Sequence, residues 1–268
     1  MTQLLNAEKS VEAETVYNEG QKHGIYMTVG DHIEDFRKRL IYIILGVVIS
    51  IVICLFFGSR LIYYVREMYA SIMISEGLEP RLQSLAPSDG FITYLKITSL
   101  AGIVLALPWI FYHLWRFIAA GLYDKEKKIV HLAAPLSVIL FVCGAAFFIM
   151  FIAPLTLRFF IRFNKILLGV DSAFTFEKYI SFITNMMLVF GLSFQTPIVI
   201  FFLNRIGIVS LETFAKSRKY VLLIVFILAA ILTPGPDVIS QVALAIPLYL
   251  LFETGILLSR FLNLKNTS

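Results

Sequence analysis

Charged residues are scarce in this 268-residue chain. Asp, Glu, Lys and Arg make up 15% of it, whereas roughly 25% is usual for soluble domains. Hydrophobic residues make up 59%, well above the roughly 45–50% of soluble domains. The composition therefore excludes an ordinary soluble domain and predicts an integral membrane protein.

Residues that hold metals or act as nucleophiles are also few. Cys54 and Cys143 both fall within apolar runs, so we expect buried thiols rather than a disulfide. The four histidines lack metal-ligand spacing, and no HExxH, GxSxG or P-loop pattern is present. The sequence therefore predicts neither an enzyme nor a metal or other cofactor. Membrane topology explains the formal net charge of +5, which does not indicate a nucleic-acid partner.

What the chain does contain is a series of long apolar runs. Runs of about 20 residues suit helices that cross a bilayer, whereas the strands of a membrane barrel are shorter and alternate in polarity. The sequence therefore predicts an all-α membrane protein with six transmembrane helices in one bundle. The predicted spans are Leu40–Gly58, Asp89–His113, Val130–Ala153, Phe176–Leu203, Tyr220–Leu232 and Val242–Phe252.

The last two predicted spans are short. Tyr220–Leu232 has 13 residues, which reach only about 20 Å against a hydrocarbon core of about 30 Å. The second short span ends where Glu253 interrupts the apolar run. Between the two spans, Pro234 suits a tight turn and Asp237 can cap the following helix. We expect such a pair to thin the bilayer locally or to depend on neighbouring helices.

The distribution of Lys and Arg predicts the orientation of the chain. Fifteen of these residues lie in the terminal segments and in the loops after the second and fourth spans, and eight lie on the other side. Basic residues collect on the cytoplasmic side of a membrane protein, so both termini are predicted to be cytoplasmic. Trp109 and Trp115 precede the Lys-rich loop and suggest a membrane boundary there.

Two polar residues fall inside or at the edge of the predicted spans. Gln195 precedes Pro197, which leaves a backbone carbonyl unpaired one turn earlier and so predicts a polar notch in the helix. Gln195 suits either a functional role or an interhelical hydrogen bond that only holds the bundle together. Glu253 lies nearer the inner surface, where it can snorkel or meet a basic residue, and a structural role is favoured over a functional one.

Two segments of the predicted inner surface carry carboxylates set among cations. Asp35 lies in DHIEDFRKRL, where it can pair with Arg39 at i, i+4, and Glu126 lies in DKEKK. A ligand with adjacent arginines would need two such carboxylates, because each guanidinium forks onto one of them. The surrounding cations would discourage other basic peptides. A self-paired helix start and a solvated loop remain the alternatives.

Four segments resemble the TatC family, the receptor subunit of the twin-arginine protein translocase. They are DHIEDFRKRL, ALPWIFYHLWRFIAAGLYDKEKK, FGLSFQTP and LTPGPDVISQVALAIPLYLLFETGILLSR, and the resemblance covers roughly residues 31–262. It implies a concave six-helix bundle between a polar cytoplasmic extension, residues 1–30, and a cytoplasmic tail, residues 263–268.

The resemblance also implies a function. Signal peptides with consecutive arginines would bind at the cytoplasmic face, and folded proteins would then cross a bacterial plasma membrane, driven by the proton-motive force. The expected partners are those peptides, single-span TatA- or TatB-type subunits in a hetero-oligomer of several copies, and the lipid bilayer. An organelle-encoded homologue remains possible. The alternative is a secondary transporter of a small solute with Gln195 and Glu253 along its path, for which no inverted repeat is visible.

The resemblance assigns site residues by their position in the family's motifs. Asp35 and Glu126 take the positions of the peptide-binding acids. Glutamate is usual at the first of these positions, so the adjacent Glu34 could share its task. Gln195 stands where relatives often have glutamate, and it cannot ionise. The other residues expected beside the peptide are His32, Phe36, Arg37, Arg39, Trp115, Phe117, Leu122 and Tyr123.

Overall fold

The computed structural model describes residues 29–121, 124–169, 174–232 and 238–264, and these are almost entirely helical. The prediction of an all-α membrane protein is confirmed. The predicted N-terminal extension, the end of the tail and the turn with Pro234 and Asp237 lie outside the described residues. The helices are α1 Val29–Ser75, α2 Asp89–Ala120, α3 Asp124–Phe147, α4 Ala153–Phe163, α5 Phe176–Ser193, α6 Thr196–Arg205, α7 Leu211–Lys216, α8 Arg218–Leu232 and α9 Val238–Leu264.

Five helical stretches in the described part of the chain are long and apolar enough to cross a membrane. They are His32–Ser75, Asp89–Ala120, Leu132–Ile166, Phe176–Arg205 and Leu244–Phe261. The remaining predicted span corresponds to α8, which has 15 residues and is therefore about 22 Å long. That α8 is short is confirmed, whereas its role as a sixth span and the side on which the termini lie stay predictions.

Two helices are longer than hydropathy predicted. α1 continues past Gly58 to Ser75, because its last turns bury Tyr69, Ile72 and Met73 in the core. α9 has 27 residues and continues through Glu253 to Leu264, so the prediction that the last helix is short was wrong. Glu253 is hydrogen-bonded to other side chains, and its charge does not end the helix.

Proline does not end the third membrane-crossing stretch, which continues past Pro154 although the predicted span ends at Ala153. The helix passes through a π-helical turn, Phe148–Ile152, and continues as α4 and a second π-helical turn, Asn164–Leu168. A proline lacks the amide hydrogen and clashes with the carbonyl four residues earlier. The wider π-helical turn directly before Pro154 accommodates this defect without a break in the chain.

The core consists of connected layers of apolar side chains. The large buried residues Tyr69, Phe148, Ile180 and Phe190 join the far end of α1 to α3, its π-helical extension and α5. A second layer between α2, α3 and α6 contains Leu107, Phe111, Trp115, Phe141 and Phe202, and a third joins α6 to α9 through Ile200, Phe252 and Ile256. These layers fix the ends of α2 and α3 relative to the rest of the bundle.

Small residues bring α1 and α2 into direct contact. A Cβ atom added to Gly102 would lie 2.6 Å from the Cα atom of Ile51, so the two backbones touch at this point. A Cβ atom added to Gly46 would collide with the ring of Trp109. Glycine is common at such helix interfaces because it permits close approach of the backbones.

The end of the bundle farthest from the start of α1 is fastened by polar contacts. Arg162 donates two hydrogen bonds of 2.9 Å to the Glu76 carboxylate. These hydrogen bonds lower the pKa of Glu76 below its ordinary value. We call the Glu76–Arg162 pair the far-end latch.

A two-residue parallel ladder at the same end of the bundle pairs β1, Leu82–Gln83, with β2, Phe174–Thr175. The sequence did not predict these strands.

Candidate functional site

The first turns of α1 pack against the last turn of α2. The ring of His32 stacks on the ring of Phe117 with a centroid distance of 4.4 Å, and the ring of Phe36 lies 5.2 Å from Phe117. His32 and Phe36 are four residues apart and therefore share one face of α1. Two segments that are distant in sequence thus meet at one end of the bundle, which we call the aromatic junction.

Asp35 lies beside this aromatic junction and is paired within its own helix. Nε of Arg39 donates a hydrogen bond of 2.6 Å to Oδ2 of Asp35, so the predicted i, i+4 pair is confirmed. The side chain of Asp35 is only 21% exposed, and that of Arg39 is 15% exposed. In contrast, Glu34 and Lys38 form a pair in which both side chains are more than 60% exposed. Asp35 is therefore the sheltered carboxylate and Glu34 the solvated one, and Arg37 is exposed next to them.

The ion pair of Asp35 uses one of its two carboxylate oxygens. Oδ2 accepts a hydrogen bond from Arg39, and Oδ1 accepts none from the described residues. A carboxylate can accept from a guanidinium through both oxygens. Oδ1 can therefore bind an incoming cation while Arg39 holds the carboxylate in its orientation.

Glu126 belongs to the first turn of α3, and its side chain lies outside the described part of the structure. Leu122 and Tyr123 lie outside it as well. Gly121 ends α2, and a Cβ atom added there would lie 3.8 Å from the His32 ring. Three peptide units separate Gly121 from Asp124, a distance of at most about 11 Å. The backbone at the start of α3 therefore lies at the same end of the bundle as the aromatic junction.

Trp115 is a core residue of the bundle. Its side chain is 5% exposed, and Nε1 donates a hydrogen bond of 2.9 Å to Oγ of Ser137. Its ring also packs edge-on against Phe202 at 4.9 Å. Trp115 therefore fixes the end of α2 to α3 and α6, and it presents little surface to a ligand.

Gln195 occupies a break between α5 and α6. The predicted notch is present, because Pro197 cannot donate to the carbonyl of Ser193 and the helix is interrupted between these residues. The Gln195 side chain is buried, and Nε2 donates a hydrogen bond of 2.9 Å to the carbonyl of Ser137. Its Oε1 is buried without a partner among the described residues. The amide thus joins two helices, as the interhelical alternative predicted.

Glu253 is held by neighbouring side chains. Arg218 donates to both carboxylate oxygens, at 2.7 and 2.9 Å, and the hydroxyl of Tyr249 donates a hydrogen bond of 3.0 Å to the same group. Of the two structural possibilities, snorkelling and pairing with a basic residue, the structure shows the pairing. Because Arg218 begins α8 and Glu253 lies in α9, this contact ties the short helix to the last one.

A cluster of aromatic residues below Asp35 was missed by the sequence analysis. The ring of His113 lies 4.4 Å from Trp109, 5.6 Å from Tyr42 and 5.3 Å from Tyr112. His113 is buried, and neither ring nitrogen has a partner among the described residues. The spacing of residues 109, 112 and 113 places them on one face of α2, but only the structure shows that Tyr42 of α1 completes the cluster.

The described residues contain no group of three His, Cys, Asp or Glu side chains that could hold a metal ion. The described charged groups beside the aromatic junction are the sheltered pair of Asp35 and Arg39, the solvated pair of Glu34 and Lys38, and the exposed Arg37. Such an arrangement can bind cations and aromatic or apolar groups.

Comparison with known proteins identifies the family. A sequence model described as "Sec-independent protein translocase protein (TatC)" matches residues 31–247. The chain belongs to the TatC family. This confirms the resemblance seen in the sequence, and as a TatC-family member the chain is a component of the Sec-independent protein translocase.

Relatives and a solved structure agree with this assignment to the TatC family. The TatC protein of Carboxydothermus hydrogenoformans is 37% identical over 244 residues, which are 90% of this chain and 96% of that protein. TatCy of Bacillus subtilis is 32% identical over 87% of this chain and 88% of that protein. A crystal structure of the twin-arginine translocase receptor TatC is 34% identical, with a TM-score of 0.74 over 86% of this chain and 98% of that chain.

Proposed function

We propose that this TatC-family chain binds twin-arginine signal peptides at the aromatic junction, where the start of α1 meets the end of α2. The contact of His32 and Phe36 with Phe117 is the observation that carries this proposal. It supports a site to which the segments containing Asp35 and Glu126 both contribute. A TatC structure described as a translocase receptor supports the same assignment.

Two carboxylates would bind the two arginines of the peptide. One guanidinium binds Asp35 through Oδ1, and the other binds Glu126, each with charge-assisted hydrogen bonds. The ring faces of Phe36 and Phe117 offer flat surfaces on which a guanidinium stacks. Paired lysines fit less well, because an ammonium group cannot fork onto a carboxylate.

The cations around the two acids would set the selectivity. Arg37 and Lys38 are exposed beside Asp35, and they repel basic peptides that do not engage both carboxylates. Trp115 serves as a positioning residue, because it holds the end of α2 in place from within the core. Leu122 and Tyr123, between that end and α3, would contact the peptide.

The chain catalyses no covalent reaction in this proposal. It recognises cargo and passes it to single-span TatA- or TatB-type subunits, with the proton-motive force driving folded proteins across a bacterial plasma membrane. The short helix α8, tied to α9 through Arg218 and Glu253, supports partner docking at this pair of helices, because a span of about 22 Å leaves the surrounding bilayer thinned. Both termini face the cytoplasm.

Export of a twin-arginine reporter tests the site. Glu126→Ala is expected to abolish export without lowering the amount of protein, because one guanidinium loses its acceptor. Glu212→Ala, which removes an acid from α7, is the matched control and should export normally. Normal export by Glu126→Ala at normal protein level would refute the assignment.

Asp35→Ala should weaken peptide binding less than Glu126→Ala if the adjacent Glu34 binds the guanidinium in place of Asp35. Combined replacement of Asp35 and Glu34 by alanine should then remove the remaining binding. Crosslinking of a twin-arginine peptide, with a twin-lysine peptide as control, measures this directly. Equal crosslinking of both peptides would contradict recognition of guanidinium groups.

A further inference from the structure

Three cations lie close together on the helix that carries the far-end latch. Arg158, Arg162 and Lys165 are three or four residues apart in α4 and the π-helical turn after it, so they share one face of the helix. Basic residues usually collect on the cytoplasmic side of a membrane protein. In the proposed orientation this cluster lies on the other side, so membrane topology does not explain it.

One carboxylate among the described residues faces these cations. Nε and Nη2 of Arg162 occupy both carboxylate oxygens of Glu76. Arg158 and Lys165 are near enough to help lower the pKa of Glu76, but both are exposed and neither forms an ion pair with a described residue. Three positive charges therefore face one negative charge, and the described group attracts a further anion.

An apolar groove accompanies the cations on the same helix. Its volume is about 500 Å³, and it is lined by Leu155, Arg158, Phe159, Arg162, Phe163 and Ile166. The rings of Phe159 and Phe163 lie 5.8 Å apart and form one wall. Closer to the middle of the membrane the face continues with Leu155 and Phe151, which are both exposed. We call this surface the α4 groove.

The depth of the α4 groove matches the headgroup layer of a bilayer. The third membrane-crossing stretch, Leu132–Ile166, has 35 residues and is about 52 Å long, whereas the hydrocarbon core is about 30 Å thick. Arg158 lies about 39 Å along the helix axis from Leu132, or about 37 Å across the membrane at the usual tilt of about 20°. Headgroups extend about 5–7 Å beyond the core, so the Arg158 guanidinium reaches them while Leu155 and Phe151 lie deeper.

We propose that the α4 groove binds an anionic phospholipid in the leaflet at the far end of the bundle. The phosphate accepts hydrogen bonds from Arg158 and from Nη1 of Arg162, which the far-end latch does not use, and Lys165 adds positive charge farther out. One acyl chain follows the exposed apolar residues of the same face toward the membrane centre. A zwitterionic lipid carries its own ammonium group, which the excess of cations repels. This inference does not depend on peptide binding.

Lipid titration of the purified chain tests the proposal. Dissociation constants for dioleoyl phosphatidylglycerol and dioleoyl phosphatidylcholine are measured by native mass spectrometry. The unmutated chain should bind phosphatidylglycerol at least about tenfold more tightly, because each basic residue at an anionic surface contributes about fivefold. Combined Arg158→Gln and Lys165→Gln should remove most of this preference and leave the far-end latch in place.

A second double variant is the matched control. Arg60→Gln with Arg66→Gln removes two exposed arginines from the far half of α1 and changes the net charge by the same amount. This variant should keep the preference for phosphatidylglycerol. Equal losses in the two double variants would show general attraction by charge and would overturn the site. Unchanged affinity after loss of Arg158 and Lys165, at an unchanged melting temperature, would overturn it as well.

Soluble competitors separate a lipid from other anions. Glycerophosphoglycerol, which has the headgroup without acyl chains, should not displace phosphatidylglycerol. Displacement by it or by inorganic phosphate would indicate a phosphate site without an acyl-chain groove, and displacement by polyglutamate would indicate an acidic protein partner. Either result would overturn the proposal.

A polar substitution in the groove tests the acyl-chain contact. Leu155→Gln keeps all three cations and should weaken phosphatidylglycerol binding by about tenfold, the scale of one misfitted hydrophobic contact. Leu132→Gln is the control, because Leu132 is 70% exposed at the other end of the same stretch. Equal affinities of the two variants would contradict a lipid chain in the α4 groove.

Discussion

At the scale of single residues, Ser137 makes two different contacts that hold the centre of the bundle. Its hydroxyl accepts a hydrogen bond from Trp115, and its backbone carbonyl accepts one from Gln195. Three helices therefore meet at one residue, but a side-chain substitution removes only one of the two contacts.

Ser137→Ala should lower the free energy of unfolding by about 1–3 kcal/mol, because the buried indole N–H of Trp115 loses its acceptor. The bond from Gln195 to the backbone carbonyl should remain. Ser71→Ala is the control, since that exposed hydroxyl donates a hydrogen bond to the carbonyl of Met68 in its own helix. Thermal unfolding in detergent measures both variants. Equal stability of Ser137→Ala and Ser71→Ala would show that the buried bond contributes nothing.

Residue spacing predicted contacts within a helix and missed those between helices. The Asp35–Arg39 pair followed from i, i+4 spacing. The burial of Trp115 did not follow from residue spacing, because its neighbours in sequence are typical of a membrane boundary and its partner Ser137 is 22 residues away. Tyr42 was missed for the same reason, since its role depends on the packing of α1 against α2.

At the scale of elements, the contact between α1 and α2 depends on glycine. Gly102→Ala should force the helices apart, because its Cβ atom would lie 2.6 Å from the Cα atom of Ile51. Overpacking of this kind costs about 1–3 kcal/mol. Gly90→Ala is the matched control in the same helix, since nothing lies within 4 Å of the added atom. Chemical denaturation should distinguish the two variants, and equal stability would contradict direct backbone contact.

The far-end latch should make stability depend on pH. Hydrogen bonds from Arg162 lower the pKa of Glu76 from its ordinary value of 4.5. A lowered pKa in the folded state means that the contribution is complete above the unfolded value and disappears as the pH falls through the folded value. Wild type should therefore lose its advantage over Glu76→Gln below about pH 4.5, as measured by thermal unfolding from pH 7 downwards. A constant difference between the two proteins over that range would contradict this.

Hydropathy located the helices but misjudged several of their ends. The cores of the spans were evident from apolar runs, because hydrocarbon length fixes the length of the run. The continuation of α1 to Ser75, of α3 through Pro154 and of α9 through Glu253 depends on packing and pairing with residues far away in the sequence. A single-sequence pattern contains no information about those partners.

At the scale of the whole molecule, α1 separates the aromatic junction from the far-end latch by its full length. A helix of 47 residues is about 70 Å long, which exceeds the thickness of a bilayer including its headgroups, about 40–45 Å. The two ends should therefore lie in different aqueous compartments.

Cysteine labelling tests this arrangement. In a chain with Cys54→Ala and Cys143→Ala, the variants Glu34→Cys and Glu79→Cys place single thiols at exposed positions near the two ends of α1. A membrane-impermeant reagent should label Glu79→Cys in intact cells and Glu34→Cys only after lysis. Labelling of Glu34→Cys in intact cells would reverse the proposed orientation.

The continuity of α1 constrains how the molecule can respond to cargo. No proline interrupts this helix, but it contains adjacent Gly58 and Ser59, a pair of the kind at which a helix without proline can kink. If α1 tilts as one rigid body, a displacement of the aromatic junction is accompanied by an opposite displacement of the far-end latch, whereas bending at this Gly–Ser pair would confine the displacement to one end of the helix.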